Sequence, residues 1–273
     1  VTLLVNRVAA VEIDSLRVEG LDIRFKVSVD DANTGQAEIS IFNLNEGHRT
    51  HIEKSKDLET TLLVGYKETA LSVLFNGVMR QGYSVREEQD WVTTLHTGDG
   101  DKASKARINR SYPPGASFDV MWKDCIDALS AQGIGVGNAL SFFSQGQAAN
   151  GVTQLLHGGA VQGQALKEIR RMAKSFGLDI MIQDQELVVT KIDTPVETSA
   201  VVLTPGTGLI SSPQKGAKGL LKVRSLIIPG LRPKRVVRVR SALVDGDYVI
   251  KKAQYTGDLS ANDWYADLEC TEL

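Results

Sequence analysis

Four histidines, two cysteines and a few clustered carboxylates are the side chains of this 273-residue sequence that can hold a metal or move a proton. His48 and His51 stand three positions apart in NEGHRTHIEKS, a spacing that puts both imidazoles on one helix face with Glu46 nearby. Two histidines on an exposed helix are the plainer reading. Asp99 and Asp101 in TGDGDK offer oxygens to a hard cation, but the ligand ladder and terminal glutamate of an EF-hand loop are missing, so turn chemistry accounts for them. His157 sits in HGGA, a string like an esterase oxyanion loop, yet no G-x-S-x-G occurs in the chain. The glycines of GIGVG at 133–137 follow a helix instead of linking a strand to one, which removes the dinucleotide-binding context. Glu87, Glu88 and Asp90 read as a solvated hairpin tip rather than a paired acid and nucleophile. Cys125 falls in a helical pattern and Cys270 at a strand end; both read as small core residues in a reducing compartment. No catalytic residue, no metal ligand and no cofactor is assigned, and the expectation is a protein that is not an enzyme.

The one local charge anomaly is KVRSLIIPGLRPKRVVRVR at 222–240, which carries seven basic residues and no acidic one. Arg238 and Arg240 flank Val239, so strand alternation places both on the face opposite the valine. Arg232, Lys234, Arg235, Arg238 and Arg240 are the candidate interface residues. Such a stripe can meet phosphates, but no aromatics are interleaved for base stacking, which favours an acidic protein surface. The whole chain has a formal net charge of -2 and gives no bulk pull toward nucleic acid or acidic lipid. No run approaches the roughly 18 apolar residues of a membrane span, and no basic-then-apolar leader opens the chain, although Val1 leaves open what precedes it. No membrane contact is expected.

The elements that must position these residues change character twice. DIRFKVSVD (22–30), AEISIFNL (37–44), TTLLVGY (60–66), SVLFNGVM (72–79) and WVTTLHT (91–97) are β-branched or aromatic runs bounded by turn residues, as in a small barrel or sandwich. A short helix near 45–55, capped by Asn45, bridges two of them. After TGDGD, the linker signal of Tyr112–Gly115 precedes a helix from Ser117 to about Ala131 that stops at Gly133. QALKEIRRMAKSFG (164–177) is amphipathic, with Ala165, Ile169, Met172, Ala173 and Phe176 on one face. LDIMIQDQELVVTKI (178–192) folds back around Asp184 and Gln185 as a hairpin. The glycine-rich stretch between these helices resists assignment. From about 199, strands return in AVVLT, GLLKVRSLII, RVVRVRSAL, YVIKKAQYTG and DWYADLEC. The predicted division is a first β-barrel over 1–105, an α+β module over 106–195 and a second β-barrel over 196–273.

Two of the three tryptophans share one phrase. GYSVREEQDWVTTL (82–95) and QYTGDLSANDWYADL (254–268) both run aromatic strand, polar turn, Asp-Trp, alternating strand. Tyr83 precedes Trp91 by eight positions and Tyr255 precedes Trp264 by nine, so the repeat is approximate.

Taken together, RFKVSVDDANTGQAEISIFNLNEGHRTHI, VGYKETALSVLFNGVMR and DWVTTLHTGDGD resemble the opening barrel of tailed-phage baseplate hub proteins. PPGASFDVMWKDCIDAL with LKEIRRMAKSFGLDIMIQDQELVV is similar to the α+β modules these hubs insert between barrels. KVRSLIIPGLRPKRVVRVRS with YVIKKAQYTGDLSANDWYADLEC looks like their second barrel, except that Tyr255 stands where that family has His. The resemblance implies a mainly β fold, two small β-barrels of similar topology flanking the α+β module, with Trp91 and Trp264 as barrel-core anchors. It further implies a structural virion protein of the tail baseplate, assembled in the host cytoplasm. Such a hub is a homotrimer whose six barrels let a hexameric tail tube sit on a trimeric spike around the DNA channel. The implied partners are the tail tube protein, the spike protein, other baseplate proteins and DNA in passing. A tail-associated protein that binds or degrades cell wall through the middle module is the alternative, and a basic-face nucleic-acid binder the third reading.

Overall fold

The computed structural model describes residues 6–31, 34–141, 157–192, 194–216 and 219–273. The chain divides into two compact units, residues 1–99 together with 197–273, and residues 100–196. The fold is mainly β with an α+β insert.

The first stretch contains β1 (Arg7–Ile13), β2 (Leu16–Glu19), β3 (Ile23–Asp30), β4 (Gln36–Phe42), α1 (Glu46–Lys54), β5 (Glu59–Tyr66), β6 (Ser72–Glu87) and β7 (Asp90–Gly98). Period-two patterning sets the faces: in β3, Ile23, Phe25, Val27 and Val29 are buried while Arg24 and Lys26 are exposed. The strands pair antiparallel in the order β3-β4-β7-β6-β5-β1-β2. Asn45 caps α1, its side-chain oxygen accepting from the His48 N–H at 2.8 Å, and Ile52 is the residue the helix buries. The first two strands, for which the sequence pattern gives no signal, pair with each other, and β1 pairs on its other side with β5.

The insert contains α2 (Asp101–Lys105), β8 (Arg107–Tyr112), α3 (Phe118–Ser130), β9 (Gly159–Gln164), α4 (Ala165–Ser175), β10 (Leu178–Gln183) and β11 (Glu186–Lys191). Ser117 caps α3 through the Asp119 N–H at 3.2 Å. The β10–β11 hairpin turns through Asp184 and Gln185 at φ 54° and 64°, the left-handed pair that a two-residue turn requires. Trp122 lies in the unit's own core with Cys125, Ile169, Leu178 and Val189, and its indole N–H donates to the Ala139 carbonyl at 2.8 Å. Two features escaped the sequence reading. TGDGD opens the short helix α2, and β8 pairs with β9. Most of the glycine-rich stretch lies in residues 142–156, outside the described residues.

The last stretch contains β12 (Glu197–Leu203), β13 (Gln214–Lys215), β14 (Leu221–Ser225), β15 (Arg235–Arg240), β16 (Asp245–Asp258) and β17 (Trp264–Glu272). Their order is β12-β15-β16-β17-β14-β13, with β12 parallel to β15 and the other pairs antiparallel. The far half of β16 also pairs with β3, from Lys252 opposite Asp30 to Asp258 opposite Arg24. Hence the barrel-like halves that the sequence separates share one 13-stranded sheet and one continuous apolar core.

Gly257 is the tightest point of that joint. It lies opposite Phe25 on one side and Trp264 on the other, and a Cβ there would overlap the Phe25 ring. Trp264 is 1% exposed and meets Phe25 and Tyr66 edge-on at 5.5 and 6.4 Å between ring centroids. Overpacking of this kind costs about 1–3 kcal/mol, so Gly257→Val is expected to lower the unfolding free energy by that amount and the denaturant midpoint in proportion. An unchanged midpoint would show that the rings can part freely. Cys125 and Cys270 are both buried, and burial first, then neighbouring acidic groups, pushes each thiol up to about 12. Neither is expected to react with a thiol reagent at pH 8 until the chain is unfolded, and stoichiometric labelling of the native protein would contradict this.

Candidate assembly interface

The two halves of the large unit repeat each other residue for residue at their long hairpins. In the first, β6 pairs with β5 as far as Val78, passes a bulge between Met79 and Gln81, and then runs against β7 with Gln81 opposite His96, Ser84 opposite Thr93 and Arg86 opposite Trp91. In the second, β16 pairs with β15 as far as Val249, passes a bulge between Ile250 and Lys252, and runs against β17 with Lys252 opposite Glu269, Tyr255 opposite Ala266 and Gly257 opposite Trp264. Counting from the bulges, Ser84 matches Tyr255, Arg86 matches Gly257, and the two Asp-Trp pairs coincide. Tyr83 therefore matches Gln254 rather than Tyr255. The apparent aromatic repeat upstream of the tryptophans was one residue out of register.

Equivalent positions have unequal neighbours. Beyond its bulge β16 is flanked by β17 and β3, whereas among the described residues β6 beyond its bulge pairs with β7 alone. The other side of β6 carries a side-chain contact: the Glu53 carboxylate of α1 accepts the Ser84 N–H at 3.1 Å. Tyr83, Val85 and Trp91 remain 37%, 40% and 37% exposed at this edge. Trp264 is buried in the core, whereas Trp91 is more than a third exposed. With Arg86 in the place of Gly257 and, among the described residues, no strand residue in the place of Phe25, its ring is covered by the Arg49 guanidinium at 4.2 Å.

The basic stripe is dispersed in the same way. Arg238 bonds to Asp245 at 2.8 Å and Asp247 at 3.0 Å, Lys234 is 3% exposed and lies 3.8 Å from Asp31, and Arg232 donates to the carbonyls of Pro229 and Val73. Arg235 is half-buried, and Arg240 is the exposed member. Arg224, Lys234 and Arg238 thus have acidic partners from outside the 222–240 window, which interrupts the continuous positive edge expected from it, while Lys222 and Arg240 stay exposed. Among the described residues no group of three metal-ligating side chains occurs, and His48 shares its cap with Asn45 at 2.9 Å. His157 is exposed.

The profile of the family described as "Baseplate hub gp41" matches residues 8–270. The chain belongs to that family. It is thus a structural component of the virion tail, and among its described residues no helix is long and apolar enough to cross a membrane. No protein of curated function matches the chain. Among solved structures, the fold is similar to the tail protein of Neisseria meningitidis MC58, with TM-score 0.61 and 8% identity over 98% of this chain and 97% of that one. It is equally similar to the 43 kDa tail protein of prophage MuSo2 from Shewanella oneidensis, with TM-score 0.61 and 10% identity over 98% and 97%. The E. coli c3393 protein, a type VI secretion component described as similar to the T4 tail proteins gp27 and gp5, gives 0.59 and 9% over 96% and 76%. At such identities the likeness is one of fold.

In the hub protein the two halves are further stapled by Arg24 of β3, whose guanidinium donates to Asp258 at the end of β16 at 2.8 Å. Burial alone would raise the Asp258 carboxyl. Arg24 and the backbone N–H groups of Ser260 and Ala261 outweigh it and hold the group below the usual carboxylate range. Its contribution is therefore present above about pH 4, where an unfolded aspartate is ionised, and is lost as pH falls through the lower folded value. Asp258→Asn is expected to cost about 1–2 kcal/mol at pH 7, a difference that shrinks toward pH 3 in urea unfolding. A cost independent of pH would show that the carboxylate charge is not used.

Proposed function

We propose that this hub protein is an adaptor that joins a hexameric tail tube to a trimeric central spike, acting as a homotrimeric ring around the DNA channel. The observation that carries the reading is the register-matched repeat. A chain with two equivalent sheet halves offers six similar units per three copies, which reconciles a six-fold partner on one side with a three-fold partner on the other. The outward faces of the hairpins fit the wall of such a channel. They carry charges of both signs held as a pair in Arg224 with Asp267 at 2.7 Å, which limits sticking to a passing polyanion. Arg240 is the stripe residue placed to meet an acidic baseplate partner.

Tail tube, spike and neighbouring baseplate proteins are the partners in this reading, and the chemistry it requires is binding rather than catalysis. Copy number and symmetry in the assembled tail test it. Three copies arranged around a three-fold axis, with six hub halves facing the tube, are the expected result of mass determination and particle imaging. Six identical copies in one ring would overturn the paired-half explanation.

A further inference from the structure

Resting on the ring reading, we propose that neighbouring copies join edge to edge: residues 81–87 of β6 in one copy pair with residues 212–216 around β13 in the next. The register is the one that β16 and β3 use inside the chain. The chain has already built this joint once. β13 stands to β14 as β3 stands to β4, because Lys215 opposite Leu221 and Leu221 opposite Cys270 reproduce Val27 opposite Ala37 and Ala37 opposite Thr97. Lys215 is thus the counterpart of Val27, Gln214 of Lys26 and Pro213 of Phe25. Transferring the β16–β3 pairs then sets Ser84 opposite Lys215, Val85 opposite Gln214 and Arg86 opposite Pro213 of the next copy.

Two independent features agree with that docking. Among the described residues, both edges are unpaired in the single chain, and each chain carries one of each kind, so the contact is heterologous and repeats around a ring. The charges match: Lys215 is exposed, and the transfer brings it beside Ser84, where Glu53 already holds the edge N–H. Pro213, in the place of Phe25, is buried within its own copy, so at this position the joint adds a backbone contact rather than new apolar cover for the exposed Trp91. The Gly216 N–H donates to Leu220, which makes residues 213 and 215 the ones that present their backbone to the open side. Pro213 contributes a carbonyl there but no N–H. With Lys215 drawing Glu53 off the Ser84 N–H, the new ladder holds three bonds across the 84–215 and 86–213 pairs, and cannot lengthen freely.

Disulfide trapping in assembled tails tests the register. The Ser84 N–H points to the open edge, so Val85 and Gln214 form a non-hydrogen-bonded pair, where facing side chains approach most closely. Oxidised tails carrying Val85→Cys with Gln214→Cys are expected to shift the hub band from monomer to covalent dimer and trimer. Val85→Cys with Lys215→Cys, which would need a one-residue slip, is expected to leave it monomeric. Tails with three hub copies and no 85–214 link, or with an 85–215 link in its place, would overturn the joint and leave the ring reading intact. A copy number other than three would overturn both. A second measurement covers a double cysteine variant that fails to assemble. Lys215→Glu is expected to lose assembled tails and Glu53→Lys added to it to restore them; full assembly of Lys215→Glu alone, or no restoration by the second change, counts against the joint.

Discussion

The large unit depends on one row of side chains across three strands, Phe25 of β3, Gly257 of β16 and Trp264 of β17. Without the glycine, the rings on its two sides could not both lie over the middle strand, and β3 could not approach β16 closely enough to pair. That pairing turns two half-sheets into one and lets Trp264 bury its ring among residues from both. Charge reinforces what packing begins: Arg24 reaches Asp258 at one end of the ladder, and Lys234 and Lys251 both face Asp31 at the other, at 3.8 and 3.3 Å. The joint is clamped at its ends by ion pairs and filled at its centre by aromatic rings.

The first half shows what the same hairpin looks like without that neighbour. Arg86 in the glycine position needs no room for a facing ring, and Trp91 takes a cation above it instead of a phenyl edge beside it. Tyr83, outward like Gln254, stacks on His96 at 5.9 Å and stays more than a third exposed. Divergence between the halves is therefore concentrated where, among the described residues, one half has an internal partner strand and the other has none. The bulges, the pairing register and the Asp-Trp corner, which each hairpin needs for itself, stayed the same.

Sequence patterning reached the local elements because each is decided by nearby residues. Asn45 and Ser117 cap their helices, the alternation of RFKVSV separates the faces of β3, and Asp184-Gln185 closes the hairpin of the insert. What escaped it were consequences of long-range pairing. β1 is a strand because β5 supplies an edge and β2 because β1 does, and the stripe at 222–240 is interrupted by Asp31, Asp245 and Asp247, none of which lies within it. Trp91 and Trp264 are spelled alike but differ in burial, since burial is set by the strand on the far side of the hairpin. The only local hint was the residue opposite each tryptophan, Arg in one case and Gly in the other.

An exposed strand edge is a hazard as well as an opportunity, because its free N–H and C=O groups pair with any extended chain. Both open edges of this protein carry restraints. Glu53 occupies the Ser84 N–H on β6, and Pro213 removes a donor beside β13. Neither restraint abolishes pairing; each makes an isolated two-chain contact short and weak. In a closed ring every copy gains two such contacts while the last closes without further loss of translational freedom, so closure strengthens joints that are marginal singly. Restraints of this strength favour a finite assembly built on its partners over free filaments, which is the behaviour required of a component that must assemble only at the end of a tail.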